Sequence, residues 1–277
     1  MVSLSYNIHL SHALHTDFLP GNASSLPPRL PAISQVIRLL IEDNPTLRLK
    51  FIGVSYRGYW KSGGKASEAG MHQDAEAALQ YAISSSSLYH ATCASSPPRS
   101  LKVVIWGQSI GCAFASHLAA GMIKNKSSHP EVELETLILE TPFTSASEML
   151  KTLYPQKWLP YHYLSVFLWN QLDTVDALGR IKSVVEENNK RPNETESRDN
   201  SKRLDVVMLE GEKDELVQAQ HGDEIEALMG KRGDGEVPGM AFKRITVEGA
   251  LHTQVLAKCS GRIAAAEAVR GHCDSAV

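Results

Sequence analysis

Three residues of this chain could together activate a hydroxyl group: Ser109, Asp214 and His252. A serine hydroxyl is a weak nucleophile at neutral pH, so it needs a base within hydrogen-bond reach, and the base needs an acid to orient it. Ser109 sits in Trp106-Gly107-Gln108-Ser109-Ile110-Gly111, directly after the apolar run at 101–105. A serine between two glycines at the end of such a run predicts a sharp strand–turn–helix elbow with the hydroxyl at its apex. Gly107 and Gly111 suit it because the strained turn and the close helix–strand approach leave no room for side chains. Asp214 follows the predicted strand 205–209 through the turn 210–213, and His252 follows the predicted strand 241–247 through 248–251. A nucleophile, acid and base in that chain order, at three strand ends, predict acyl transfer through a covalent serine intermediate.

The tetrahedral intermediate of such a reaction needs hydrogen-bond donors aimed at its oxyanion. One is the backbone N–H of Ile110, immediately after the nucleophile. The second is expected from the loop 20–25, with the Asn22 N–H as donor and Gly21 allowing a tight backbone course. Plainer readings stand beside these. His252 is one of eleven histidines, and Asp214 before Glu215-Leu216-Val217 could be a helix N-cap. Glu210 and Asp205 are weaker substitutes for the acid. His9, His12 and His15 recur at a spacing of three, but no carboxylate shares that spacing, so no metal is expected. Cys93, Cys112, Cys259 and Cys273 form no Cys-x-x-Cys pair, which predicts neither a disulfide framework nor a structural metal. No cofactor is called for.

The elements that must position these residues follow from the pattern of apolar runs. From about residue 46, short β-rich runs alternate with helical stretches, which predicts a mostly parallel, doubly wound sheet with helices on both faces. Strands are expected at 47–56, 101–107, 134–140, 205–209 and 241–247, and helices at 67–84, 110–124, 219–229 and 253–269. The Ser- and Pro-rich stretch 84–100 predicts a surface loop, and the polar stretch 182–203 predicts disorder. Between them, 143–178 carries Tyr154, Trp158, Tyr161, Tyr163, Phe167 and Trp169 without strand alternation. It is expected either to form a small lid with an apolar acyl pocket or to pack as a helical excursion on the sheet.

Composition narrows the partners. Of 277 residues, 43% are hydrophobic and 21% charged, enough apolar sequence for a substantial core. A net charge of -3 provides no basic footprint for nucleic acid. The N-terminus lacks a basic segment followed by a continuous apolar run, and no window is apolar for long enough to cross a bilayer. The expectation is a soluble intracellular chain whose membrane contact is at most peripheral. Sequons at Asn22, Asn125 and Asn193 carry no assigned role.

Four segments in order carry a family resemblance: Gly53-Val54-Ser55-Tyr56-Arg57-Gly58-Tyr59-Trp60-Lys61-Ser62-Gly63-Gly64, the elbow, Glu140-Thr141-Pro142-Phe143-Thr144-Ser145, and Gly211-Glu212-Lys213-Asp214-Glu215-Leu216-Val217. Over about residues 18–260 the chain resembles the α/β-hydrolase superfamily. Within it, the chain is similar to the bud-emergence-type, membrane-anchored serine hydrolases, which include monoacylglycerol and lysophospholipid lipases and depalmitoylating thioesterases. The resemblance implies Ser109 as nucleophile, Asp214 as acid, His252 as base, and Asn22 with Ile110 at the oxyanion hole. It also implies an upstream membrane anchor and further N-terminal strands. The chain departs from the pattern at Pro20, where the family has a histidine, and at Cys112, where it often has glycine. Residues 1–18 are therefore expected to be an irregular or truncated segment, and 19–277 a single hydrolase domain with incomplete N-terminal strands. The expected substrate is a carboxylic ester or thioester, of an acyl lipid or an acylated thiol. A catalytically silent binding or scaffold protein and a serine peptidase are the alternatives.

Overall fold

Apolar runs that can be buried on both faces form a single sheet in the computed structural model, which describes residues 2–5, 13–21, 26–45, 47–92, 101–126, 132–153, 171–190, 203–230 and 237–271. The strands are β1 (Val2–Ser5), β2 (Ala13–Leu19), β3 (Arg48–Gly53), β4 (Leu101–Gln108), β5 (Val132–Glu140), β6 (Leu204–Gly211) and β7 (Met240–Val247). Their order across the sheet is β1-β3-β2-β4-β5-β6-β7. Strand β1 pairs antiparallel with β3, and every other pairing is parallel. Parallel strands need crossovers, and the helices that supply them cover both faces.

The helices are α1 (Leu30–Asp43), α2 (Glu68–Thr92), α3 (Ile110–Lys124), α4 (Ala146–Leu153), α5 (Thr174–Lys190), α6 (Ala219–Met229) and α7 (Cys259–Arg270). Two apolar cores result. On one face Ile105, Leu137, Leu139 and Met208 pack with Ala75 and Leu79 of α2, Phe114 of α3, Leu178 of α5 and Ile225 of α6. On the other, Phe18, Val104, Trp106 and Leu209 pack with Ile33 and Ile37 of α1 and Ala265 and Val269 of α7. Strand β4, which ends at the elbow, is well shielded: Val103, Val104 and Ile105 have no exposed surface. A central strand walled in on both sides gives the turn at its end a rigid base.

Three expectations are corrected. Residues 13–18, expected to be irregular, lie in β2, hydrogen-bonded between β3 and β4, and residues 2–5 form a further strand. His15 and Asp17 interrupt the apolar pattern, but Thr16, Phe18 and Leu19 are buried by the neighbouring strands, and Pro20 stands just past the last ladder position, where its missing N–H costs nothing. Of the segment 182–203, residues 182–190 are the last turns of α5, whose buried Ala177, Leu178 and Ile181 anchor a polar continuation. Lys182 also donates to the Leu228 carbonyl. Of the segment 84–100, residues 84–92 continue α2. Residues 93–100 and 191–202 lie outside the described residues, as do residues 154–170 of the expected lid, with all six of its aromatics.

Candidate active site

The elbow is a local consequence of its sequence. Strand β4 runs to Gln108, α3 starts at Ile110, and Ser109 alone makes the turn, at φ 52° and ψ -120°. A non-glycine residue with positive φ is strained and persists only where its surroundings over-determine it. Here a Cβ on Gly107 would collide with the Gly111 carbonyl and the Cys112 backbone, and one on Gly111 would collide with the Leu19 carbonyl oxygen. The Ser109 N–H donates to the Glu140 carbonyl at 2.8 Å, and the Ser109 carbonyl accepts from Cys112 N–H at 2.9 Å. The hydroxyl is thereby held at the head of α3, on the carboxyl edge of the sheet.

Asp214 and His252 arrive from the loops after β6 and β7, beyond the end of β5 along that edge. His252 Nε2 lies 3.1 Å from Ser109 Oγ, and His252 Nδ1 lies 2.8 Å from Asp214 Oδ2. Ser109 and His252 are buried, at 9% and 4% exposure, so the contacts are shielded from water. No helix starts at Asp214, since the next one begins at Ala219 after Gln218, so the N-cap reading is corrected: while Oδ2 faces the imidazole, Oδ1 closes a local turn by accepting the N–H groups of Leu216 at 2.9 Å and Val217 at 2.7 Å. These backbone donors fix the carboxylate plane. Glu210 and Asp205 are committed elsewhere, Glu210 to Arg244 and Thr246, and Asp205 to Arg203.

Several positioning contacts were not legible in the sequence. Glu215 Oε2 accepts the His252 N–H at 3.0 Å, Glu212 Oε2 accepts the Gly249 N–H at 2.7 Å, and Lys213 N–H donates to the Ala250 carbonyl at 3.0 Å, so the loops carrying Asp214 and His252 are laced together. On its other side the base loop is held by Arg29, whose Nη1 donates to the Thr253 carbonyl at 3.0 Å. The same Nη1 stands 3.9 Å from Oε1 of Glu140, a carboxylate with no exposed surface. Burial lifts the Glu140 carboxyl to about 6, against the opposing pull of the Arg29 cation. Its sequence signal was available: a lone acid closing the apolar run Leu137-Ile138-Leu139.

Of the two expected oxyanion donors, Ile110 opens α3, where first-turn N–H groups have no partner within the helix. Asn22 lies outside the described residues, but its neighbour Gly21 passes against the nucleophile: a Cβ on Gly21 would stand 3.1 Å from Ser109 Cβ. Gly21 N–H also points to Gln108 Oε1, at 3.4 Å. Among the histidines of the spaced trio, His15 lies in β2, and His9 and His12 are outside the described residues. No group of three or more metal-ligating side chains occurs among the described residues. Nor does any described helix have the length and apolarity to cross a membrane.

No family model matches the chain. It is similar to protein bem46 of Schizosaccharomyces pombe, 30% identical over 200 residues that cover 72% of this chain and 51% of bem46. It is also similar to the lysophosphatidylserine lipase ABHD12 of Xenopus tropicalis, 32% identical over 128 residues, 46% of this chain and 28% of that protein. The chain thus spans about half the length of bem46. Among solved structures, an alpha-beta hydrolase from Vibrio vulnificus superposes with a TM-score of 0.57 at 17% identity, covering 91% of this chain and 73% of that one. Sheet order, elbow and sequence similarity lead to one family: the chain belongs to the α/β-hydrolase superfamily, in the group of bem46-like proteins.

Proposed function

We propose that this chain is a serine hydrolase that cleaves a carboxylic ester or thioester, of an acyl lipid or an acylated thiol, through an acyl-serine intermediate. The observation that carries the reading is the continuous chain of contacts from Ser109 Oγ through His252 to Asp214, at 3.1 and 2.8 Å. Ser109 Oγ attacks the acyl carbonyl carbon while His252 Nε2 takes its proton, and Asp214 steadies the imidazolium through Nδ1. The carbonyl π electrons move to oxygen, where the Ile110 N–H receives them, joined by the Asn22 N–H from the loop that passes Ser109 at Gly21. Collapse of the intermediate expels the alcohol or thiol, which His252 protonates. Water, deprotonated by His252, then releases the acid and restores Ser109.

Support for an acyl-lipid substrate comes from the lipase name of the Xenopus tropicalis relative. The catalytically silent alternative rests on the poor strand pattern before Pro20 and on Pro20 itself; β2 pairs with β4 there, and Pro20 stands past its last residue. The deciding experiment is labelling of the purified chain with a fluorophosphonate probe, beside Ser109→Ala. Labelling and ester hydrolysis are expected in the parent chain. In Ser109→Ala the label should vanish and kcat fall by about 10³-fold or more; hydrolysis at the parent rate in that variant would rule the reading out.

A further inference from the structure

We propose that Glu140 is a positioning residue of this site: through Arg29 it fastens the loop carrying His252 to the strand end that holds Ser109. The inference rests on the assignment of His252 as base. Glu140 is the last residue of β5, and its carbonyl is the acceptor for the Ser109 N–H, at 2.8 Å, and for the Cys112 thiol, at 3.3 Å. Its side chain is wholly buried, and neither carboxylate oxygen has a hydrogen bond of ordinary geometry. The adjacent cation is Arg29, at 3.9 Å, and the nitrogen that faces the carboxylate is the one that donates to the carbonyl of Thr253, next to His252. One side chain thus connects, by its backbone, to the nucleophile and, through one guanidinium, to the base.

Stability alone does not account for this group. A buried carboxylate whose cation stands beyond hydrogen-bond length loses more hydration than it regains, and an apolar residue of similar volume commonly serves the fold better. What the charge achieves is to keep Arg29, only 11% exposed, turned inward beneath the base loop. The groups that face Glu140 come from each neighbouring element: Arg29 at the head of α1, the indole of Trp106 on β4, Cys112 on α3 and the imidazole of His252. Burial pushes the Cys112 thiol well up, so it stays neutral. On its far side His252 meets Asp214 and Glu215. The Glu140 charge therefore acts on His252 by holding its loop.

The test is steady-state para-nitrophenyl butyrate hydrolysis by the full chain as Glu140→Gln, which keeps the shape and removes the charge. We expect kcat to fall about ten-fold with KM within about two-fold, less than the roughly 10²-fold that a 1 Å misplacement can produce. A purely structural role would lower the urea midpoint and leave kcat of the folded variant at the parent value; parent kcat overturns the proposal. Should Glu140→Gln fail to fold, Arg29→Gln cuts the same connection at its more exposed end. It is expected to show the same loss in kcat with KM retained, and parent kcat there overturns the proposal equally. Hydrolysis persisting in Ser109→Ala would remove the assignment of the base and this inference with it, whereas loss in Ser109→Ala with unchanged Glu140→Gln removes this inference alone.

Discussion

Ser109 pays a conformational penalty at the point of chemistry, since its φ of 52° suits a residue without a Cβ. Relief of that strain is measurable. Ser109→Gly is expected to be inactive yet about 1 kcal/mol more stable than Ser109→Ala, read as a shift in urea midpoint at constant slope. Asp214 is under a different constraint, because its two oxygens serve the imidazole and two backbone donors at once. Asp214→Asn retains an acceptor for the backbone but presents no anionic oxygen to Nδ1. Its kcat should drop by about 10³- to 10⁴-fold while the thermal midpoint moves little, measured on the same ester. The types of these residues were visible in the sequence; the local turn in which Asp214 accepts from Leu216 and Val217 was not, since the sequence suggested a helix start there instead.

At the scale of elements, the elbow depends on the approach of α3 to the end of β2. Gly111 lies against the Leu19 carbonyl and Gly21 against Ser109, so the strand taken from the sequence to be irregular delimits the site. Gly111→Ala should force these backbones apart and destabilise the chain by about 1–3 kcal/mol in chemical denaturation, with slower fluorophosphonate labelling. Strands β4, β6 and β7 and helices α3 and α6 were legible because their apolar periods are strong and end at glycines or turns. Strand β2 was not, because His15 and Asp17 break its pattern and its burial is conferred by β3 and β4. The polar end of α5 was hidden for a related reason: its order comes from residues 174–181 packed against α3, and low hydrophobicity alone suggested disorder.

For the whole molecule, burying Glu140 has a cost that depends on pH. Its carboxyl titrates near 6 in the folded chain against an ordinary 4.5, so between those values the folded chain holds a proton that the unfolded chain has released. Stability from this group is therefore greatest below about pH 4.5 and declines as pH rises through 6, by about 2 kcal/mol. The parent chain should show this decline relative to Glu140→Gln in urea titrations across that window; parallel pH profiles would refute it. The ion pair is thus placed where it opposes folding at neutral pH, which agrees with a role at the site.

By itself the sequence determined the identities and order of Ser109, Asp214 and His252 and the strands that carry them, because strand ends and tight turns are encoded by neighbouring residues. It also determined that Gly107 and Gly111 must be small. Tertiary structure alone decided that β2 completes the sheet beside the elbow, that Glu212, Lys213 and Glu215 bind the acid loop to the base loop, and that Arg29 meets Glu140 and Thr253. Those contacts join residues more than thirty positions apart, and in Arg29's case more than a hundred. Their energies depend on burial by other elements, a property that no local pattern of residue types can express.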